Sequence, residues 1–486
     1  MRLLAFGLLA LLAMPAAQPV DAQNVDAQPS VVSQPESQDG VALTVYNQNF
    51  AVVREVRPIT LASGMNRVRF EGVAAQIDPT SISLKSLTAP NSLVVREQNY
   101  QYDLIGTNSV LDAAVGQPIR LIRRLEGGQT VTESGVLLSV PGQGRIVQLD
   151  DGRVLVNPEG TIELASLPTG LLSRPSLLWL LNAGRAGEHR AEVSYMTDGI
   201  NWKADYVAVV NEDETEVDVT GWVTLNNQSG ATFRDARLQL MAGDVRRVQG
   251  MNAPVYGAPR MEMAFADAAP AFDEEAFFEY HLYTLDGTTT LAERETKQMT
   301  LLSASEVGVR RRLIFDGAGT YFPSYSTRRP GAGGATNEMS AAIVLEMENS
   351  EENRMGMPLP KGKVRVYKAD RTGALQFVGE DLIDHTPRNE LVRLYIGDAF
   401  DVVGTRRQVN ERRISDRVRE VTVEVEVRNR KETAADVAIV ERLYADWEIT
   451  QASHEHTKLD ARTVEFPLEV GPDETVTVRY TARISY

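Results

Sequence analysis

From residue 41 onward, apolar side chains recur at every second position in short runs broken by Gly, Pro, Asn and Asp. Val41, Leu43 and Val45 open one run, Arg67 to Phe70 another, and Ile82, Leu84 and Leu87 a third. In a strand, side chains alternate between faces, so this two-residue period predicts sheet with one dry and one wet side. Trp202, Ala204, Tyr206, Ala208 and Val210 keep the period, as do Val217, Val219, Gly221, Val223 and Leu225. So do Val421 to Val427 and Val476 to Ile484. Asp151-Gly152 fits a two-residue hairpin turn. Gln98 to Val115 reads as a loop, and Gly397 to Phe400 as a tight turn between strands. The expectation is an all-β chain of several β-sandwich-like domains, partly immunoglobulin-like, with little helix.

Changes in texture suggest boundaries. Residues 41–175 read as one or more N-terminal β domains, 176–415 as a central β domain and 416–486 as a C-terminal β-sandwich. Within the central part, 249–273 is rich in Met, Ala and Pro without a period, and 317–337 is rich in Gly. Both read as a flexible insertion or loop. The run from Val217 through the Asn226–Gly230 turn to Leu240 is echoed by Val421, the Asn429–Thr433 turn and Ala434–Leu443, suggesting two related modules.

Ahead of the strands, Leu3 to Met14 is an apolar run behind Arg2, stopped by Pro15. It is too short for a bilayer-spanning helix, which needs about 20 residues. With the small residues Val20 and Ala22 it fits a secretory signal over residues 1–22, followed by a disordered linker over 23–40. The chain has no cysteine, so disulfides, thiolate metal sites and a lipid-bearing cysteine are excluded together. These features predict a periplasmic or secreted protein. A net charge of -16 opposes a broad nucleic-acid surface, which needs many phosphate-contacting Lys and Arg.

Catalytic signatures are sparse: no phosphate loop, nucleophile elbow or HExxH is present. The five histidines are His189, His281, His385, His454 and His456. His454 and His456, two apart, would share one face of a strand, and a third ligand such as Asp460 would complete a zinc or copper site. Trp202, Tyr206 and Tyr195 sit on the core period. Trp222 does not, and points to the opposite face of its strand. Trp222, with Tyr321, Phe322 and Tyr325 beside the Gly-rich loop, is therefore the candidate binding set.

The block Tyr195, Asp198, Gly199, Trp202, Ala204, Asp205, Tyr206, Gly221, Trp222, Asn226, Asn227, Ser229, Gly230, Phe233, Ala236, Leu238 and Gly243 resembles the signature of the DUF4139 family. Tyr283 to Lys297 and Val421 to Ser485 extend the resemblance over roughly residues 190–486. It implies an all-β architecture of several sandwich-like domains and no established reaction. The leading functional expectation is a non-catalytic, envelope-associated binding or scaffold protein, with no cofactor and with an envelope protein or glycan as partner. Two alternatives stay open: a carbohydrate-active hydrolase or carbohydrate-binding protein, and a metal-binding protein using His454 and His456.

Overall fold

The computed structural model describes residues 31–35, 38–102, 105–124, 128–139, 144–168, 171–247, 272–317 and 336–486. The expected signal, most of the linker, residues 249–271 of the insertion, residues 318–335 of the loop, and with them Tyr321, Phe322 and Tyr325, lie outside the described residues. Of what is described in these stretches, Val31–Ser33, Phe272 with Asp273, and Thr336 with Asn337 are in strands. What is described is nearly all strand, as the period predicts; its one α-helix is Thr107–Ala113. The Gln98–Val115 stretch is thus not a loop throughout: it completes the strand Leu93–Gln101 and then forms this helix.

An eight-stranded sheet runs in the order Phe272–Phe277, Tyr280–Leu285, Phe233–Ala242, Gly40–Tyr46, Phe50–Leu61, Gly187–Asp198 and Ile77–Ser86, with Thr289–Leu291 also on Phe233–Ala242. A four-stranded sheet (Val31–Ser33, Gly64–Glu71, Ser176–Ala183, Leu93–Gln101) and a five-stranded sheet (Glu295–Gly308, Glu216–Asn227, Ile200–Val210, Gly362–Ala369, Leu375–Ile383) share its core. A nine-stranded sheet carries the C-terminal part. It folds back on itself: Phe466 stacks on Tyr480 at 5.2 Å although their strands lie six places apart in the sheet order. A smaller five-stranded sheet between Pro118 and Glu163 has its own core of Ile119, Leu137, Val147 and Leu149. In it, Asp151 and Gly152 turn the chain between the antiparallel strands Ile146–Leu149 and Val154–Val156.

Hydrogen-bonded sheets run across positions 175 and 415. Gly40–Tyr46 lies parallel to Phe233–Ala242, and Leu391–Arg413 pairs with Val418–Asn429. Gly397 to Phe400 is not a turn but an interruption inside the 23-residue strand Leu391–Arg413. That strand, roughly 75 Å long at 3.3 Å per residue, contributes Val392 and Leu394 to the large core and Ala399 and Val402 to the C-terminal one.

The same polar latch closes three strand ends. Asn227, Asn349 and Asn429 are all fully buried. The Asn227 side-chain nitrogen donates to the carbonyls of Ala231, Leu291 and Ala292 at 2.8, 3.3 and 3.0 Å. That of Asn429 donates to Thr433, Val470 and Gly471 at 2.8, 3.0 and 3.0 Å. That of Asn349 donates to Met357, Thr386 and Pro387 at 2.9, 3.5 and 2.9 Å. Their side-chain oxygens accept from the N–H of Ser229, Lys431 and Gly356. Each receiving turn holds a left-handed residue, Arg294, Asp473 or Asn389, followed at once by a glutamate. In each case the strand after the latch lies parallel to an earlier one: Phe233–Ala242 on Gly40–Tyr46, Gly362–Ala369 on Ile200–Val210, and Ala435–Arg442 on Arg310–Phe315. The echo between two modules is therefore a threefold repeat. The third copy, at Asn349, escapes sequence comparison because its turn to Met357 is longer.

Two buried ion pairs pin the sheets. Arg57 pairs with Glu55, sits 3.8 Å over the Phe70 ring and donates to the Glu71 carbonyl at 2.7 Å, while the Tyr195 hydroxyl donates to Glu55 at 2.8 Å. This joins the eight- and four-stranded sheets. In the C-terminal core, Arg406 donates to both Glu441 oxygens at 2.9 and 3.0 Å and the Tyr480 hydroxyl donates to Glu441 at 2.8 Å. Burial opposes the Arg406 charge, but Glu441 beside it outweighs that and holds its pKa above the usual value. Burial, then the Glu441 charge, pushes the Tyr480 hydroxyl far up.

Two outcomes test this frame. Asn429→Ala leaves three carbonyls without their donor and should cost about 2–4 kcal/mol, read as a lower denaturation midpoint by Trp447 fluorescence; an unchanged midpoint would refute the latch. Glu441→Gln breaks a buried pair and should cost about 3–5 kcal/mol, whereas Glu441→Leu combined with Arg406→Met should cost less. A double variant weaker than the single one would contradict this.

Candidate functional site

Parity along the strand decides what each side chain of the five-stranded sheet faces. Trp202, Ala204, Tyr206 and Ala208 point inward and are at most 2% exposed. They are core residues, and the Tyr206 hydroxyl donates to the Pro360 carbonyl at 2.8 Å. Tyr195 is equally buried on Glu55. Lys203, Asp205, Val207 and Val209 therefore face outward, and on the neighbouring strand so do Thr220, Trp222 and Thr224. Trp222 is half-buried at the middle of this outer face, as its break from the core period predicts.

The neighbours of Trp222 are polar. Across the strands it is flanked by Asp205 and Thr300, and along its own strand by Thr220 and Thr224. The Asp205 carboxylate accepts from Thr224 Oγ1 at 3.2 Å, lies 3.2 Å from Lys203 Nζ and is approached by Arg365 at 3.8 Å. Gln298 donates to Thr224 at 3.2 Å. Arg365 also reaches Glu380 at 3.5 Å, which Lys363 holds at 3.0 Å. Further along the same face, Tyr367 packs edge-on against the exposed Phe377 with ring centroids 5.7 Å apart. The face thus carries aromatic rings at two places, hydroxyl and amide groups around one, and three cations against two carboxylates between them. Asp205 and Glu380 lie on one flat surface and share Arg365. They do not face each other across a cleft, which glycoside hydrolysis by paired carboxylates requires.

Lys203 and Asp205 are legible as outward-facing from the alternation in Asn201–Tyr206. Arg365, Tyr367 and Phe377 are not, because the parallel pairing of Ile200–Val210 with Gly362–Ala369 joins segments about 160 residues apart.

His454, His456 and Asp460 each have other partners. His454 lies 2.8 Å from the Ser453 hydroxyl, His456 packs 5.5 Å from the Phe466 ring, and Asp460 accepts from the Arg462 N–H at 2.6 Å. Among the described residues, no three His, Asp or Glu side chains are grouped to hold a metal ion. His189 pairs with Ser86 at 3.0 Å, a contact sequence reading does not single out. Its Nε2 lies 3.0 Å from the Arg185 carbonyl, an acceptor only, so Nε2 carries the proton and Nδ1 accepts from Ser86. Both residues are buried, and the pair serves to hold two strands together. His385 accepts at Nδ1 from the Lys361 N–H at 3.2 Å, and its Nε2 is buried without a partner in the protein. Burial and then Lys361 lower its pKa.

That shift has a sign. The unfolded chain takes up the His385 proton near pH 6.5, at higher pH than the fold does, so stability falls as pH drops below that value. His385→Gln should flatten this part of the curve of denaturation midpoint against pH between 7.5 and 5, relative to the unsubstituted chain. Parallel curves would show that His385 contributes nothing.

Among the described residues, no helix is long and apolar enough to cross a membrane. A comparison with curated proteins found no match. The family model described as a domain of unknown function, DUF4139, matches residues 191–486. The matched part contains all three asparagine latches and the Trp222 face, while its strand Phe233–Ala242 is completed by Gly40–Tyr46 from outside it. More than half of the chain follows this model, and the protein belongs to the DUF4139 family.

Proposed function

We propose that this chain is an exported, envelope-associated binding or scaffold protein whose docking surface is the outer face of the five-stranded sheet around Trp222. The observation that carries the reading is the placement of Trp222. A large aromatic side chain, only partly buried, stands in the middle of a rigid sheet, clear of the core to which Trp202 and Trp179 belong. Exposed aromatic rings on rigid scaffolds are the side chains that dominate binding energy. Export is supported by the apolar run Leu3–Met14 and the polar tract after it, and by a chain of this size without cysteine.

A photo-crosslinking amino acid at Lys203, in the full chain mixed with the native envelope fraction, tests the surface. A discrete adduct that disappears when Trp222→Ala is added is expected. No adduct, or one indifferent to Trp222, would overturn the assignment.

A further inference from the structure

Resting on the binding role of this face, we propose that its ligand is a glycan, specifically an extended β-linked oligosaccharide stacked on Trp222. Protein-binding surfaces centre on contiguous apolar side chains with charges kept to the rim. Around Trp222 the strand neighbours Thr224, Asp205 and Thr300 are polar but already buried, as is Val207, and the groups there that reach solvent are Thr220, Lys203 and Gln298. A protein or lipid partner would have to desolvate these groups without replacing their hydrogen bonds.

Nucleic acid would also stack on indole, but phosphate needs an excess of cations. Here Lys203, Lys363 and Arg365 are each tied to Asp205 or Glu380, on a chain of net charge -16. What remains is a neutral ligand with one apolar face and many hydroxyls. A pyranose ring is that. Its C–H face carries partial positive charge that suits the negative face of the indole ring. Its hydroxyls can pair with Thr220 and accept from Lys203 and Gln298, the polar groups beside the indole that reach solvent.

The surface is also long. Tyr367 is two strands from Trp222 and four residues further along, since Trp222 is opposite Asp205 and Tyr367 is beside Val209. Strand spacing and rise put these rings roughly 16 Å apart. A monosaccharide cannot reach both, whereas an extended chain of equatorially linked sugars lies flat along a sheet with its ring faces exposed.

The test is titration of the full chain with cellohexaose and with chitohexaose, read by calorimetry and tryptophan fluorescence. Saturable binding of at least one is expected, weakened roughly tenfold by Trp222→Ala, largely restored by Trp222→Phe, and unaffected by Arg54→Ala on the eight-stranded sheet. If Trp222→Ala disturbs folding by circular dichroism, Lys203→Met and Gln298→Ala take its place and should each weaken binding. Absence of binding by both saccharides, or binding indifferent to all these changes, overturns the glycan assignment. Should neither bind while the Lys203 crosslink still depends on Trp222, the glycan inference falls and the binding role stands. Loss of that dependence removes the binding role itself.

Discussion

The architecture depends on a buried amide. A strand that ends inside a sandwich must turn without leaving carbonyls unpaired, because a buried acceptor without a donor costs about 1–3 kcal/mol. Asn227, Asn349 and Asn429 solve this with one side chain each, sharing two N–H groups among three carbonyls and accepting a backbone N–H in return. The carbonyls come from both the local turn and a turn elsewhere in the sequence, so each asparagine fixes where a distant hairpin docks. No aspartate can substitute, since it offers no donor. The parallel strand that follows each latch is set in place by the same contact, which is why a threefold repeat of topology accompanies a threefold repeat of one residue.

Around these latches the larger sheets are tied to one another by side chains and backbone. Glu55, Arg57 and Tyr195 join two sheets in the first part, and Arg406, Glu441 and Tyr480 tie together distant strands of the single folded nine-stranded sheet in the last. Taking such charges out of water is expensive unless geometry and hydrogen bonds offset it. Here each carboxylate is bonded by both a guanidinium and a phenol. Their value is positional: they hold the sheets in one register. The strand Leu391–Arg413, which feeds both large cores, makes the same link through backbone.

A rigid frame of this kind matters to the outer face of the five-stranded sheet. Trp222, Lys203, Asp205 and Thr224 are carried on the central strands of a sheet whose inner side is packed solid with Trp202, Tyr206, Val223 and Leu225. Their spacing is set by strand geometry, and Thr224 and Lys203 are further held by their contacts with Asp205. Such a surface binds with little ordering cost, and offers stacking and hydrogen bonding side by side.

The alternation of apolar residues by itself determined the class of fold, most strand positions, the inward direction of Trp202 and Tyr206, and the outward direction of Trp222. These are local properties, because the two-residue period is built into the strand backbone. The sequence also carried the Asn-turn echo between residues 217–240 and 421–443, but not its third copy, whose turn is longer. Only the tertiary structure decided which strands are neighbours. Parallel pairs such as Ile200–Val210 with Gly362–Ala369 join segments far apart in the chain, and nothing in either segment encodes the other's position. The company that Trp222 keeps, Thr300 from one side and Asp205 with its partner Arg365 from the other, follows from those pairings. Direction was legible at each residue; the surface it belongs to was made by the assembled sheet.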